Sequence, residues 1–347
     1  MVDDRAQKAT IRDVARLANV SLGTISNYLN GTKGVSARSA SAIDAAVAEL
    51  GFIPNSGARV MRGARSHAIG FIIPDTTNPF FIEVARGIED VAIEAGHVVV
   101  TCNTLGDPDR EDHYARSLSE MRVLGAVVTG MTATESHLRL LASSGAALVV
   151  LGTPDLNPTM STVSVDDRQG GYEAMSHLVG LGHRRIVLVG GPAGDVQIAR
   201  RFEGARAAWS EQTGLGVDEL RRVDALGSTP ATRMAAADAL LTLDPLPTAI
   251  LCANDVIALA VCARLAQRGF TVPGDFSVVG YDDIDDAQLA PVPLTTVRQP
   301  QFEMGLAAAR IVFALAAGSE ELQHISFEPT LSVRSTTSGP RTHVLAV

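Results

Sequence analysis

The chain has 347 residues, 46% hydrophobic and 19% charged, with a formal net charge of −9. That is longer than one ordinary domain and rich enough in apolar material for a sizeable core, yet it holds no run of about 18 apolar residues that could span a membrane. Three cysteines (Cys102, Cys252, Cys262) and eight histidines show neither a disulfide framework nor metal-ligand spacing, so a stapled secreted scaffold is excluded and no metal or cofactor is expected.

The average charge hides an asymmetry. Residues 1–66 carry nine Arg or Lys against five Asp or Glu, a head of +4 before 281 residues of −13. A basic head attracts phosphate and an acidic body does not, so sequence-independent DNA affinity belongs to the head. The N-terminus MVDDRAQKAT has no apolar signal-peptide core, and the expected compartment is the cytoplasm.

Thr10 to Pro54 parses as three short helices. Apolar residues recur at helical spacing in the first (Ile11, Val14, Ala15, Ala18) and third (Ala40, Ile43, Val47, Leu50), giving two amphipathic faces that need a partner. Thr10, Ser21 and Ser36 are each placed as N-caps, and Asp13 adds a carboxylate at the positive end of the first helix. Ala18, Asn19 and Val20 form the turn, because Asn tolerates the left-handed conformation a tight corner needs. The product is a helix-turn-helix whose second helix, Leu22 to Leu29, enters the DNA major groove. Its candidate DNA contacts are Thr10, Ser21, Leu22, Gly23, Thr24, Ser26, Asn27, Asn30, Ser36 and Arg38. For this stretch alone, a helical bundle that serves only as an interaction module is the alternative.

A connector follows. Ala58 to Arg62 is too short for a stable isolated helix, and Gly57 weakens it further, so it should fold only when docked. From His67 the pattern becomes short apolar runs alternating with amphipathic stretches. Strands are expected over Ala68–Ile73, His97–Cys102, Gly125–Thr129 and Ala147–Leu151, with helices over Phe80–Ala95, Asp109–Val123 and Thr134–Ser143. A second set begins at Thr162–Asp166. Its strands are Arg185–Val189, Ala249–Cys252 and Ser277–Gly280, and its helices lie near Gly170–Leu181, Val196–Glu211, Thr229–Leu243 and Asp255–Arg268. Such alternation builds parallel sheets covered on both faces. Two doubly wound lobes imply a cleft with ligand residues at the carboxyl ends of strands. Asp75, Asn254, Asp255, Asp282 and Asp283 stand there, and Asn78-Pro79-Phe80-Phe81 opens the first helix of the body. Aromatic rings against sugar C–H faces, with carboxylates and amides for hydroxyls, are a natural use of such a set.

The segments TIRDVARLANVS, TISNYLNG, VSARSASAIDAAVAELGFIPN and ARVM, and in the body NPFF, HLVGLGHRRIVLVGG, ARRFEGARAA, CANDVIALAVCARLAQRG, VPGDFSVVGYDD and LTTVRQP, resemble the lactose-repressor/galactose-repressor (LacI/GalR) family over almost the whole chain. The resemblance implies an α/β fold of two Rossmann-like, periplasmic-binding-protein-like lobes after an all-α helix-turn-helix domain. Domains are expected at 1–54, 55–66 (hinge helix) and 67–347. The first lobe is expected over about 67–162 plus 296–323, and the second over about 163–295 plus 324–347.

By the same resemblance Asn55, Ala58 and Met61 join the DNA contacts, with Met61 as an apolar wedge in the minor groove. Asp75, Asn78, Phe80, Phe81, Arg201, Asn254, Asp282 and Gln299 become the effector contacts. Gly23 and Asn27 stand where the lactose repressor has bulkier or basic side chains, and Asn27 can bind adenine bidentately. Leu151-Gly152-Thr153-Pro154-Asp155 departs from the acidic-basic pair of many members. No heptad follows the last strand, so a homodimer on a pseudo-palindromic operator is expected. The implied function is a transcriptional regulator, more often a repressor and not an enzyme, controlled by a sugar or sugar derivative, with a nucleobase or nucleoside as alternative. A transporter's solute-binding protein would fit the body alone. An enzyme is disfavoured because Gly190–Gly194 lacks GxGxxG or Walker spacing and no nucleophile-base set stands out.

Overall fold

A computed structural model describes residues 9–30, 34–52, 65–129, 135–152, 158–191, 195–225 and 229–341. The chain divides into two compact units, Met1–Ser66 and His67–Val347.

In the first unit, α1 (Ile11–Leu17), α2 (Leu22–Asn30) and α3 (Ala37–Leu50) enclose a core of Val14, Ala15, Ala18, Ile25, Ile43 and Ala46. The local signals act as the sequence predicts. The Asp13 carboxylate accepts from the Thr10 amide at 2.9 Å and the Thr10 hydroxyl at 2.7 Å. The Ser21 and Ser36 hydroxyls accept from the amides of Thr24 (3.0 Å) and Ser39 (3.2 Å). Asn19 takes the left-handed conformation at φ 51°, and Gly51 at φ 56° ends α3. The Tyr28 hydroxyl donates to both oxygens of Asp44 at 2.7 and 2.8 Å, tying α2 to α3.

The second unit runs β1 (Ala68–Ile73), α4 (Pro79–Glu94), β2 (Val98–Asn103), α5 (Pro108–Glu120), β3 (Gly125–Thr129), α6 (Glu135–Ser143), β4 (Ala147–Leu151) and β5 (Ser161–Val165). There follow α7 (Asp167–Gly180), β6 (Ile186–Gly190), α8 (Val196–Thr213), β7 (Arg221–Asp224), α9 (Pro230–Leu240), β8 (Ala249–Cys252), α10 (Asp255–Gln267) and β9 (Ser277–Asp282). The chain closes with α11 (Asp285–Leu289), β10 (Thr295–Arg298), α12 (Gln301–Ala316), β11 (His324–Phe327) and β12 (Thr330–Ser332).

Two six-stranded sheets result, ordered β11-β5-β4-β3-β1-β2 and β12-β10-β9-β8-β6-β7. All pairings are parallel except β10 with β12. Strands β1, β3, β5, β6 and β9 are buried along their whole length, as parallel strands covered by helices on both faces must be. Each order reverses beside its first strand, between β1 and β3 in one sheet and between β6 and β8 in the other. These reversals are the switch points at which such sheets open a crevice.

The lobe boundaries differ from the sequence expectation. Strand β5 and strand β11 both belong to the first sheet, and β10 to the second, so the chain crosses after Val165, after Arg298 and after Phe327. Strand β11 pairs with β5 from His324↔Thr162 to Phe327↔Val165, which removes 324–327 from the second lobe, and β10 pairs with β9 and β12, which removes 296–298 from the first. Short strands with half-exposed residues lack the continuous apolar run that marks a central one. Helix α12 packs on α4, β3, β4 and β5 of the first lobe.

Candidate functional site

A cavity of about 180 Å³ lies between the lobes. Its first-lobe wall comes from the segment after β1 and the start of α4: Pro74, Asp75, Asn78, Phe80 and Phe81. Asn78 caps α4 by accepting from the Phe80 amide at 3.1 Å, with Pro79 at the first helical position, where its missing N–H is not needed. That cap sets both phenylalanine rings, edge-to-face at 5.0 Å and nearly buried, against the cavity.

The second-lobe wall holds Gly191 after β6, Asn254 after β8, Asp282 at the end of β9, and Asp195, Gln197 and Arg201 around the start of α8. Helix α8 approaches α7 at backbone contact: a Cβ on Gly171 would lie 1.8 Å from the Arg201 carbonyl oxygen, and one on Gly204 1.8 Å from that of Arg168. This close approach places the Arg201 guanidinium beneath the cavity. Its Nε donates to Asp167 Oδ1 at 2.7 Å, its Nη1 donates to the Ala253 carbonyl at 2.7 Å, and its Cζ sits 3.8 Å over the Tyr281 ring. Asp282 Oδ1 lies 3.8 Å from Nη1. Burial alone would lower the Arg201 pKa, but the carboxylates of Asp167 and Asp282 outweigh it and hold the cation firmly protonated.

Asp282 is the hub of the site. It accepts from Gln299 Nε2 at 2.7 Å on one oxygen and from Asn78 Nδ2 at 3.2 Å on the other. Burial pushes its pKa up to about 6, against the opposing pull of Arg201 and its hydrogen bonds to Asn78 and Gln299. Its backbone is left-handed, at φ 122°, an outlier of the sort found where surroundings over-determine a residue. Neighbouring Asp255, fully buried, accepts from the Ile284 amide at 3.0 Å and from the Thr296 hydroxyl at 2.5 Å. Burial and the nearby Asp282 raise its pKa well above the usual carboxylate range.

Seven of the eight expected effector residues therefore line one cavity: Asp75, Asn78, Phe80, Phe81, Arg201, Asn254 and Asp282. Gln299 is not among the lining residues and reaches the site through Asp282. Asn254 does two things, capping α10 through the Ile257 amide at 3.0 Å and lining the cavity. Residues 153–157, which include most of the departing segment, lie outside the described residues. Sequence reasoning missed Arg233, Asp195 and Gln197. Asp195 had a usable signal, as the N-cap of α8 that accepts from Ile198 at 3.1 Å; Arg233 looks like any helix-surface charge.

In the head, Thr10, Ser21, Leu22, Gly23, Asn27, Ser36 and Arg38 are exposed, and Thr24 and Ser26 half-buried. Leu22, 46% exposed on the first turn of α2, is an apolar residue the core does not use. Asn30 ends α2. Asn55, Ala58 and Met61 lie outside the described residues.

Among the described residues no helix is long and apolar enough to cross a membrane. Residues 10–55 match the model of bacterial regulatory proteins of the lacI family, and 175–337 that of a periplasmic binding protein-like domain. The HTH-type transcriptional repressor PurR of Photobacterium profundum is 33% identical, over 94% of this chain and 98% of that protein. The chain belongs to the lacI family of bacterial regulatory proteins. Two solved regulators are similar in fold. The lac repressor dimer bound to operator and the anti-inducer ONPF is 26% identical, with TM-score 0.78, over 96% of this chain and 100% of that one. The regulator CelR in complex with cellobiose is 29% identical, with TM-score 0.70, over 94% and 99%. As a lacI-family member the chain is a DNA-binding regulator of transcription and not an enzyme.

Proposed function

We propose that the chain is a cytoplasmic, homodimeric repressor whose grip on a pseudo-palindromic operator is set by a sugar or sugar derivative bound between the lobes. The observation that carries this reading is the convergence of Asp75, Asn78, Phe80 and Phe81 from one lobe with Arg201, Asn254 and Asp282 from the other on one small cavity. Carboxylates and amides match vicinal hydroxyls, a guanidinium matches a ring or hydroxyl oxygen, and the phenylalanine pair offers a face for C–H groups. The cellobiose held by CelR supports the same ligand class.

In this reading Ser21, Leu22, Gly23, Thr24, Ser26, Asn27 and Asn30 face the major groove. Thr10, Ser36 and Arg38 hold phosphates, Asn55 and Ala58 follow the minor groove, and Met61 wedges a base step. Ligand changes the angle between lobes, and with it the separation of paired hinge segments in the dimer. A tenfold change in operator affinity needs only about 1.4 kcal/mol of coupling.

The test is a thermal-shift screen of sugars, sugar phosphates and nucleobases, each hit then added to a gel shift with the gene's upstream DNA. A sugar hit that alters the shift supports the reading. Hits confined to nucleobases overturn the ligand class, and a hit that leaves DNA binding unchanged overturns the coupling.

A further inference from the structure

Arg233 stands one turn into α9 of the second lobe, and its Nη2 reaches across the cleft. It donates to Asp75 Oδ2 at 2.8 Å and to the Thr77 hydroxyl at 2.9 Å. Both charged side chains are largely removed from solvent, at 10% and 16% exposure. Asp75 is itself fixed, because its other oxygen accepts from the Thr77 amide at 2.8 Å and the Thr77 hydroxyl at 2.7 Å. A second contact crosses beside it, from Asn78 to Asp282. Both bonds of Arg233 use one nitrogen, so the other edge of its guanidinium, in a residue that lines the cavity, is not spent on the crossing.

We infer that Arg233 is the positioning residue that latches the two lobes together, so that an effector entering the cavity must open or enlist the Arg233–Asp75 pair. A charge-assisted donor whose one nitrogen serves both a carboxylate and a hydroxyl ties two groups of the first lobe to a single side chain of the second. Because the pair sits on the cavity wall, occupancy and closure meet in one side chain. The consequence for regulation rests on the effector reading above; the latch itself does not.

The test is hydrogen–deuterium exchange of the full-length, ligand-free chain, comparing wild type with Arg233→Gln, Asp75→Asn and the double variant. Exchange in residues 78–81 and 280–284, joined across the cleft by Asn78 and Asp282 rather than by Arg233, should rise at least fivefold in each single variant. The double variant should rise no further. Should Arg233→Gln fail to fold, Thr77→Val, which removes only the hydroxyl, is read in the same segments. Exchange that changes only in 74–77 and 229–237, or nowhere, overturns the latch. Failure of the effector reading would appear separately, as an absence of binding in the ligand screen.

Discussion

The head and the body handle polar side chains in opposite ways. Among the described residues of the head, most side chains proposed to meet DNA are exposed, with Thr24 and Ser26 half-buried, and the buried core is six small or medium apolar residues. In the body the side chains proposed to meet an effector are buried or half-buried, and most are already bonded within the site: Arg201 to Asp167, Asn78 and Gln299 to Asp282, Arg233 to Asp75. A surface that must meet a large polyanion can leave its contacts in water. A cavity for a small ligand must hold them desolvated, where each unpaired group costs about 1–3 kcal/mol and a charge more. Function and stability are thus separable over much of the head, the capping residues Ser21 and Ser36 apart, and entangled in the body.

The largest effect should come from breaking that entanglement. Arg201→Ala leaves Asp167 and Asp282 buried without their cation and should cost about 3–5 kcal/mol of body stability in urea unfolding, together with effector binding. Next is Gly171→Ala, which drives a methyl into the Arg201 carbonyl. It should cost about 3 kcal/mol, the upper end for overpacking, and weaken ligand binding without touching the cavity. In the head, Ile25→Ala should cost about 2–3 kcal/mol and lower the melting of residues 1–66 alone, leaving the body's transition in place. Ser21→Ala removes a cap, for about 1 kcal/mol of head stability, again with no change in effector binding.

A further effect, in which no contact is deleted, is a slope with pH. His183 is buried, in contact with the Thr248 hydroxyl at 2.8 Å and the Ser338 carbonyl at 2.8 Å, and burial lowers its pKa below the usual 6.5. The unfolded chain then binds the proton more readily, so this contribution is present above pH 6.5 and lost as pH falls below it. Asp282 has the opposite sign. Raised to about 6, it is protonated more readily in the folded chain, and its ionisation takes stability away as pH rises towards 6. His183→Gln should flatten the loss between pH 7 and 6; Asp282→Asn should gain on wild type as pH rises from 4 to 7. Both are read by chemical denaturation across pH.

How much of this was legible in the sequence follows the same division. The head's caps, its Asn19 corner and its recognition helix are local features, written within three or four residues of where they act. The alternation of buried strands and helices is local too, which is why the two-lobed α/β architecture could be read. The residues Asp75, Asn254 and Asp282 were legible because strand ends are where switch-point clefts form. The crossing points were legible only to within three or four residues, since β10, β11 and β12 are short and take their place in a sheet from pairing with distant strands. Nor was Arg233, whose partner is 158 residues away. Its helix position carries no signal, and only closure of the lobes gives it a role. Asp167 and Tyr281, which hold Arg201 in place, are likewise defined by packing between α7, α8 and β9 rather than by any motif.

The most direct measurement is a fluorescence titration of full-length protein onto the gene's own upstream DNA, with and without a saturating sugar that raises the melting temperature of the wild type but not of Arg201→Ala. The account predicts at least a tenfold change in operator affinity for the wild type, with no change for the variant. Operator affinity that stays the same while the cleft is demonstrably occupied would contradict it.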